Sequence, residues 1–262
     1  MKLTSRLAVM PLALMAASLA LPALSLEFPQ TSDRGAPPRS IGGGSRGEIC
    51  VDVATQPTLT ALLPHNSLAT TYAVDAEIPS ALLFYVPETG ATLGELTVVD
   101  AQGEEVYQQT VTLPESANTL AVTLPQKTAE GAAFFEAGQF YYWDFAVICD
   151  ATDRKNDVSV GGGIQRAEPD AAFLDQLAGV ADDPLAQAEL YASVGAWQEA
   201  LVLVAGLYEQ NAEPWQDLLE SVELDAIAAV DAPELPVAAS SDAGVSGSES
   251  SNSEVHAQGD CN

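Results

Sequence analysis

The sequence predicts a mainly β protein with an α appendage: an antiparallel β-sandwich followed by a small C-terminal helical unit. Three observations carry this. Between Glu48 and Ala167 the apolar residues recur with a period of two, in about seven or eight short runs with no helical stretch between them. At Glu168 the period changes to that of a helix. Before and after this body lie segments whose composition cannot supply a core.

The first segment sets the compartment. Lys2 and Arg6 form a basic start, an apolar run follows from Leu7 to Leu21, and Pro22 breaks it ahead of Ala23-Leu24-Ser25. The run is shorter than the roughly 20 apolar residues that a membrane span needs. Residues 1–25 are therefore expected to be a secretory signal peptide, with the mature chain starting near Leu26 and no integral membrane span. The expected location is the periplasm or the extracellular space.

Charge excludes several function classes. Nine lysines and arginines face 37 aspartates and glutamates, for a net charge of -28, and no basic residue follows Arg166. Such a surface repels phosphate backbones and anionic lipid, so nucleic acid is not an expected partner. A chain meeting salty water can carry this charge because salt screens it.

Residues 26–48 read as an irregular leader, with Pro37-Pro38 and the run Gly42-Gly43-Gly44-Ser45-Arg46-Gly47. Arg34, Arg39 and Arg46 lie in it and are candidates for docking on the acidic body or on an acidic partner. Residues 49–167 form the predicted sandwich. Within it, Asp100-Ala101-Gln102-Gly103 is a hairpin turn between Gly94–Asp100 and Glu104–Leu113, and Leu120, Val122 and Leu124 alternate with threonines. Phe140 to Cys149 is the strongest strand: Tyr141, Trp143, Phe145 and Val147 share one face, opposite Asp144. Asp150 to Asp157 reads as a solvated hairpin loop, since Arg154 and Lys155 oppose a calcium site and the spacing is not that of an EF-hand. Val158 to Arg166 returns the chain.

Residues 168–232 form the helical unit. Asp170 caps a first helix, Asp183-Pro184 starts a second, and Gly195 ends it. Trp197, Ala200, Leu201, Val204 and Leu207 mark a third, and Pro214 and Trp215 open a fourth. Residues 233–262 are rich in Ser, Pro and acid and are expected to be disordered.

Of the three cysteines, Cys261 lies in that tail, and export permits a bond between Cys50 and Cys149. Cys50 has the strand parity of Asp52 rather than of Val51 and Val53, so a bulge or a strand edge must supply the geometry.

The chemical catalogue is thin. His65 and His256 lack metal-ligand spacing to each other or to the cysteines, and no phosphate loop or nucleophile elbow occurs. No cofactor, metal or catalytic residue is expected.

Several segments together resemble a known family: Arg34-Gly35-Ala36-Pro37, the glycine run from Gly42, Leu59-Thr60-Ala61-Leu62-Leu63-Pro64, Phe84-Tyr85-Val86-Pro87, Tyr142-Trp143 with Ile148-Cys149-Asp150, and Leu190-Tyr191-Ala192 with Gly195, Trp197 and Glu199-Ala200-Leu201. This pattern is similar to the domain of unknown function 928 family, uncharacterised exported proteins mainly of cyanobacteria, over about residues 34–230. The resemblance implies no activity or cofactor. The chain departs from the pattern at Gly161-Gly162-Gly163, where a bulkier residue is expected before Ile-Gln-Arg, which puts the strand order there in doubt. Phe140 to Arg166 also resembles the last hairpin of immunoglobulin-like or fibronectin-like sandwiches. Leu190 to Leu207 is similar to one tetratricopeptide-like hairpin, without its Trp-Leu-Gly start.

The expected function is that of a non-enzymatic envelope or secreted module binding another protein. Its candidate contact residues are Tyr191, Trp197, Tyr208 and Trp215: four short helices enclose two indoles and two phenols poorly, so their aromatic area either packs on the sandwich or remains exposed as a contact surface. An envelope polysaccharide-binding module and a hydrolase without known signature are the alternatives. An exposed aromatic row on the sheet would favour polysaccharide. Converging carboxylates in a cleft would favour an enzyme.

Overall fold

The computed structural model describes residues 26–29, 50–51, 56–64, 68–72 and 78–235. The expected signal peptide of residues 1–25, together with Arg34, Arg39, Arg46, His65, His256, Cys261 and all residues beyond Leu235, lies outside the described residues.

Among the described residues, eight strands form two sheets. β1 (Thr60–Ala61), β3 (Ala81–Val86) and β6 (Asn118–Thr123) make a three-stranded sheet in the order β1-β3-β6. β2 (Leu68–Thr71), β4 (Leu93–Asp100), β5 (Glu105–Thr112), β7 (Phe140–Val147) and β8 (Val158–Arg166) make a five-stranded sheet in the order β2-β8-β7-β4-β5. The two face each other as a sandwich: Phe84 of β3 stacks on Phe145 of β7 at 4.2 Å and meets Trp143 edge-on at 5.5 Å.

One pairing departs from the expected all-antiparallel sandwich. β2 runs parallel to β8, with Leu68 opposite Gly163 and Thr71 opposite Arg166. A parallel neighbour requires a crossover, and here the chain crosses between sheets through β3 before returning. β8 is thus internal, held between β2 and β7.

Five helices follow: α1 (Ala171–Gly179), α2 (Pro184–Ser193), α3 (Trp197–Leu207), α4 (Glu213–Glu220) and α5 (Asp225–Ala228). Asp170 accepts from the Phe173 N–H at 2.8 Å and Asp183 from the Ala186 N–H at 3.1 Å, so both expected caps satisfy orphan donors. α5, a single turn, is one helix more than the sequence period indicates.

The helices form a third layer on the outer face of the small sheet. β3 shows why: Ala-Leu-Leu-Phe-Tyr-Val is buried at all six positions, which an alternating two-layer strand would not be. Polar contacts lock the layer down. Trp197 Nε1 donates to the Leu62 carbonyl at 2.9 Å, and Gln198 Nε2 donates to the Ala81 carbonyl. The Glu199 carboxylate accepts from Thr71 Oγ1 at 2.6 Å and from the Tyr72 N–H at 2.7 Å. Between them these bonds fix the start of α3 to β1, β2 and β3.

Part of the leader also belongs to this layer. Leu26 and Phe28 are buried, Phe28 meets Trp197 edge-on at 4.9 Å, and the Phe28 N–H donates to Ser221 Oγ at 3.1 Å. Residues 26–29 carry no regular secondary structure, and two of their side chains enter the core.

Cys50 and Cys149 are bonded, with Cα atoms 5.3 Å apart. Cys50 precedes Val51, which is bridged to Thr89, and Cys149 lies just beyond β7. The bond therefore sits at the sheet rim, where strand parity no longer applies.

Candidate functional site

The expected partner residues of the helical unit do not form an accessible site. Tyr191, Trp197 and Trp215 are each 0% exposed. Trp197 is spent on the sandwich, and Trp215 donates from Nε1 to the Val230 carbonyl at 3.2 Å. Tyr191 packs against Phe173 at 5.4 Å. Tyr208 is half-buried and donates to Asp231 Oδ1 at 2.7 Å; this bond, ahead of burial, raises its pKa. Of the two outcomes open to these aromatics, packing or exposure, the structure shows burial for Tyr191, Trp197 and Trp215. Docked on the sandwich, the helices gain the apolar neighbours that a free four-helix unit would lack.

The exposed aromatics lie elsewhere, on the outer face of the five-stranded sheet. β7 alternates strictly: Tyr141, Trp143, Phe145 and Val147 point into the sandwich, while Phe140, Tyr142 and Asp144 point out. Phe140 is 40% exposed and Tyr142 48%. Two residues apart on one strand, their rings are rooted about 7 Å from each other.

The register builds the rest of the face. Reading across the strands, Leu68, Gly163, Tyr142 and Val99 form one row. Gly161, Asp144, Thr97 and Gln108 form the next, and Ser159, Ala146, Glu95 and Thr110 the one after. The glycines set the relief. A Cβ at Gly163 would lie 3.1 Å from Leu68 Cδ1 and 4.0 Å from Tyr142 Cδ1, so its absence lets the leucine and the tyrosine ring close over β8. A Cβ at Gly161 would come within 3.6 Å of Asp144 Oδ2 and 3.1 Å of the Trp143 carbonyl, so its absence leaves a depression beside the carboxylate. The Gly161-Gly162-Gly163 run thus keeps β8 in its ladder and trims the face of side chains.

Electrostatically this face is poor in charge for so acidic a chain. Glu95 is answered by Arg154 at 3.0 Å, from a loop in which Arg154 also pairs with Asp157 and Lys155 with Asp153. Asp144 is raised by desolvation, which a hydrogen bond from Ser159 partly offsets. Glu105, opposite Val99 beyond the β4–β5 bulge, adds an exposed carboxylate at the rim; the remaining groups are hydroxyls, amides and the aromatic–aliphatic ridge. Such a surface offers apolar contact from two rings and neutral hydrogen-bonding groups around them.

Among the described residues, no three His, Cys, Asp or Glu side chains converge as metal ligands, and no helix is long and apolar enough to cross a membrane.

The family described as Domain of Unknown Function (DUF928) matches residues 41–232. The chain belongs to that family. Several of the DUF928 segments noted in the sequence meet at one place: Leu62 follows β1, and Trp197 and Glu199 open α3, so these residues build the joint between helices and sandwich. Tyr142, in another of those segments, is exposed on the outer face of the five-stranded sheet. No curated protein matches the chain. Solved structures with some likeness include an fn3 domain of the human collagen alpha-1(XX) chain, at 9% identity and TM-score 0.25, covering 49% of this chain and 90% of that one. Another is Bacteroides uniformis beta-glucuronidase 3 without ligand, at 17% identity and TM-score 0.21, covering 42% and 12%. At these scores neither carries an argument about this DUF928 chain.

Proposed function

We propose that the chain is an exported, non-enzymatic module that holds an uncharged polysaccharide against the outer face of its five-stranded sheet. The observation that supports this most is the pair Phe140 and Tyr142, consecutive outward residues of β7 and the exposed aromatics of the face. A pyranose ring has an apolar face of C–H groups and a rim of hydroxyls. Tyr142 and Phe140 would take the first by stacking; Asp144, Thr97, Gln108 and Ser159 would take the second. The net charge of -28 disfavours an acidic polymer, and the low charge of this face suits a neutral one. Its two inner carboxylates are engaged separately, Glu95 by Arg154 and Asp144 by Ser159, which supports holding over cleavage. In this reading the sandwich is a fibronectin-like platform, and the tetratricopeptide-like hairpin of α2 and α3 is its brace.

Affinity electrophoresis in native gels tests it, with dissolved hydroxyethylcellulose or galactomannan as neutral polymers and alginate as the acidic one. Retardation by a neutral polymer, weakened by Tyr142→Ala and by Phe140→Ala and absent with alginate, is the expected result. Retardation that survives both replacements, or none with either neutral polymer, would reject the reading.

A further inference from the structure

The two sheets differ in width, five strands against three, and the mismatch leaves an opening at one side. β6 is the last strand of the small sheet and β5 the last of the large one. Between them lies a groove of about 420 Å³, lined by Gln109 and Val111 of β5, by Ala121, Val122 and Thr123 of β6, and by Glu234 and Leu235. It is where a fourth strand of the small sheet would lie.

The backbone of β6 is suited to receive one. The Leu124 N–H donates to the Ser80 carbonyl on the β3 side at 2.7 Å. By strand alternation Val122 and Leu120 also turn their peptide groups towards β3, and Thr119, Ala121 and Thr123 turn theirs away from it, along the groove. The Thr119 N–H is taken by Asn118 Oδ1 at 2.8 Å, which leaves the Ala121 and Thr123 peptides as the pairing positions. The usual guards of an edge are missing: Asn118–Thr123 contains no lysine, no proline and no charge.

We propose that this groove takes an extended segment of a partner polypeptide as an added strand on β6, with a basic residue of that segment set against Glu234. Charge selects the occupant. Glu234 is the charged residue of the lining, and the chain has no Lys or Arg after Arg166 to answer it. A second copy, itself at -28, would be repelled where a basic segment is drawn in. Side chains alternating along the added strand would meet Val111 and Gln109 on one side and face away on the other, so the partner should carry small or β-branched apolar residues at every second position. This site is independent of the polysaccharide reading, because it opens at the sandwich edge and not on the outer sheet face.

The test uses the whole mature chain and a synthetic Lys-Thr-Val-Thr-Val-Thr peptide with blocked ends. Three controls accompany it: the same peptide N-methylated on alternate residues, a Glu-for-Lys version, and an Ala121→Pro protein. Proline there removes an outward N–H without touching the ladder to β3, a position edge strands tolerate. The expected result is amide chemical-shift change and slowed exchange at Ala121 and Thr123. N-methylation and Ala121→Pro should each weaken binding at least about tenfold, as the loss of a backbone hydrogen bond or two would do. Glu234→Gln should abolish the preference for Lys over Glu. Should Ala121→Pro fail to fold, the N-methylated peptide on the unaltered protein decides alone. Absence of shifts at millimolar peptide, equal binding of the N-methylated form, or pairing of two copies through β6 in place of the peptide would overturn the proposal.

Discussion

The indole of Trp197 reaches across from α3 to the carbonyl of Leu62, 2.9 Å away and 135 residues earlier in the chain. This bond lies in the joint that makes helices and sandwich one body, and it removes Trp197 from the surface. Trp197→Ala should cost about 3 to 5 kcal/mol, through the cavity and the lost bond together. Trp197→Phe keeps most of the volume but leaves the Leu62 carbonyl without its donor, at about 1 to 3 kcal/mol. Chemical denaturation measures both. The fraction of either variant that remains folded should bind polysaccharide like the parent, since this residue touches no ligand in the account.

The Cys50–Cys149 bond closes a separation of 99 residues. In the chain-entropy treatment a loop of this length contributes roughly 4 to 5 kcal/mol by restricting the unfolded chain. A Cys50→Ser, Cys149→Ser double variant should unfold at a markedly lower denaturant midpoint. An unchanged midpoint would show that the bond is not made in the protein.

Glu223 holds φ at 60°, the left-handed region that side chains with a Cβ enter at a cost. It follows α4 where the Leu224 N–H turns back to the Leu219 carbonyl at 2.9 Å, a helix stop that glycine suits best. Glu223→Gly should raise stability by about 1 kcal/mol. A loss would mean that contacts of the glutamate outweigh its backbone strain.

Asp144 gives a pH signature. Its carboxyl is raised in the folded protein by desolvation, so the native state holds its proton more tightly than the unfolded chain. Stability from this group is therefore greatest below the ordinary value of 3.8 and falls as pH rises from there through the raised folded value. Asp144→Asn should flatten stability over that window and leave the protein no less stable at neutral pH. Equal slopes of stability against pH in both proteins would contradict this.

Local chemistry was legible in the sequence and layering was not. The caps at Asp170 and Asp183, the turn before Glu104 and the inward face of β7 follow from rules that act within a few residues. The parallel pairing of β2 with β8 does not: Leu68–Thr71 is four residues long and carries no mark of its distant partner. The stripe carrying Trp197 and Trp215 left both burial on the sandwich and exposure open, because a helical stripe says that a face is covered, not by what. One signal was present: the unbroken apolar run Ala81–Val86 belongs to a strand covered on both faces, and something must cover the second. Phe140 and Tyr142 were also readable, as aromatic residues on the Asp144 side of an alternating strand. Their weight became visible only once the register placed Gly161 and Gly163 beside them.

The proposed ligand face is the outer surface of the five-stranded sheet. Amide chemical-shift mapping by NMR, with a soluble oligosaccharide cut from whichever neutral polymer retards the protein, tests it most directly. The expected shifts saturate with ligand and cluster at Phe140, Tyr142, Asp144, Gly161 and Gly163. Shifts confined to the helices, or to Ala121 and Thr123 in the groove, with those five amides unmoved, would contradict it.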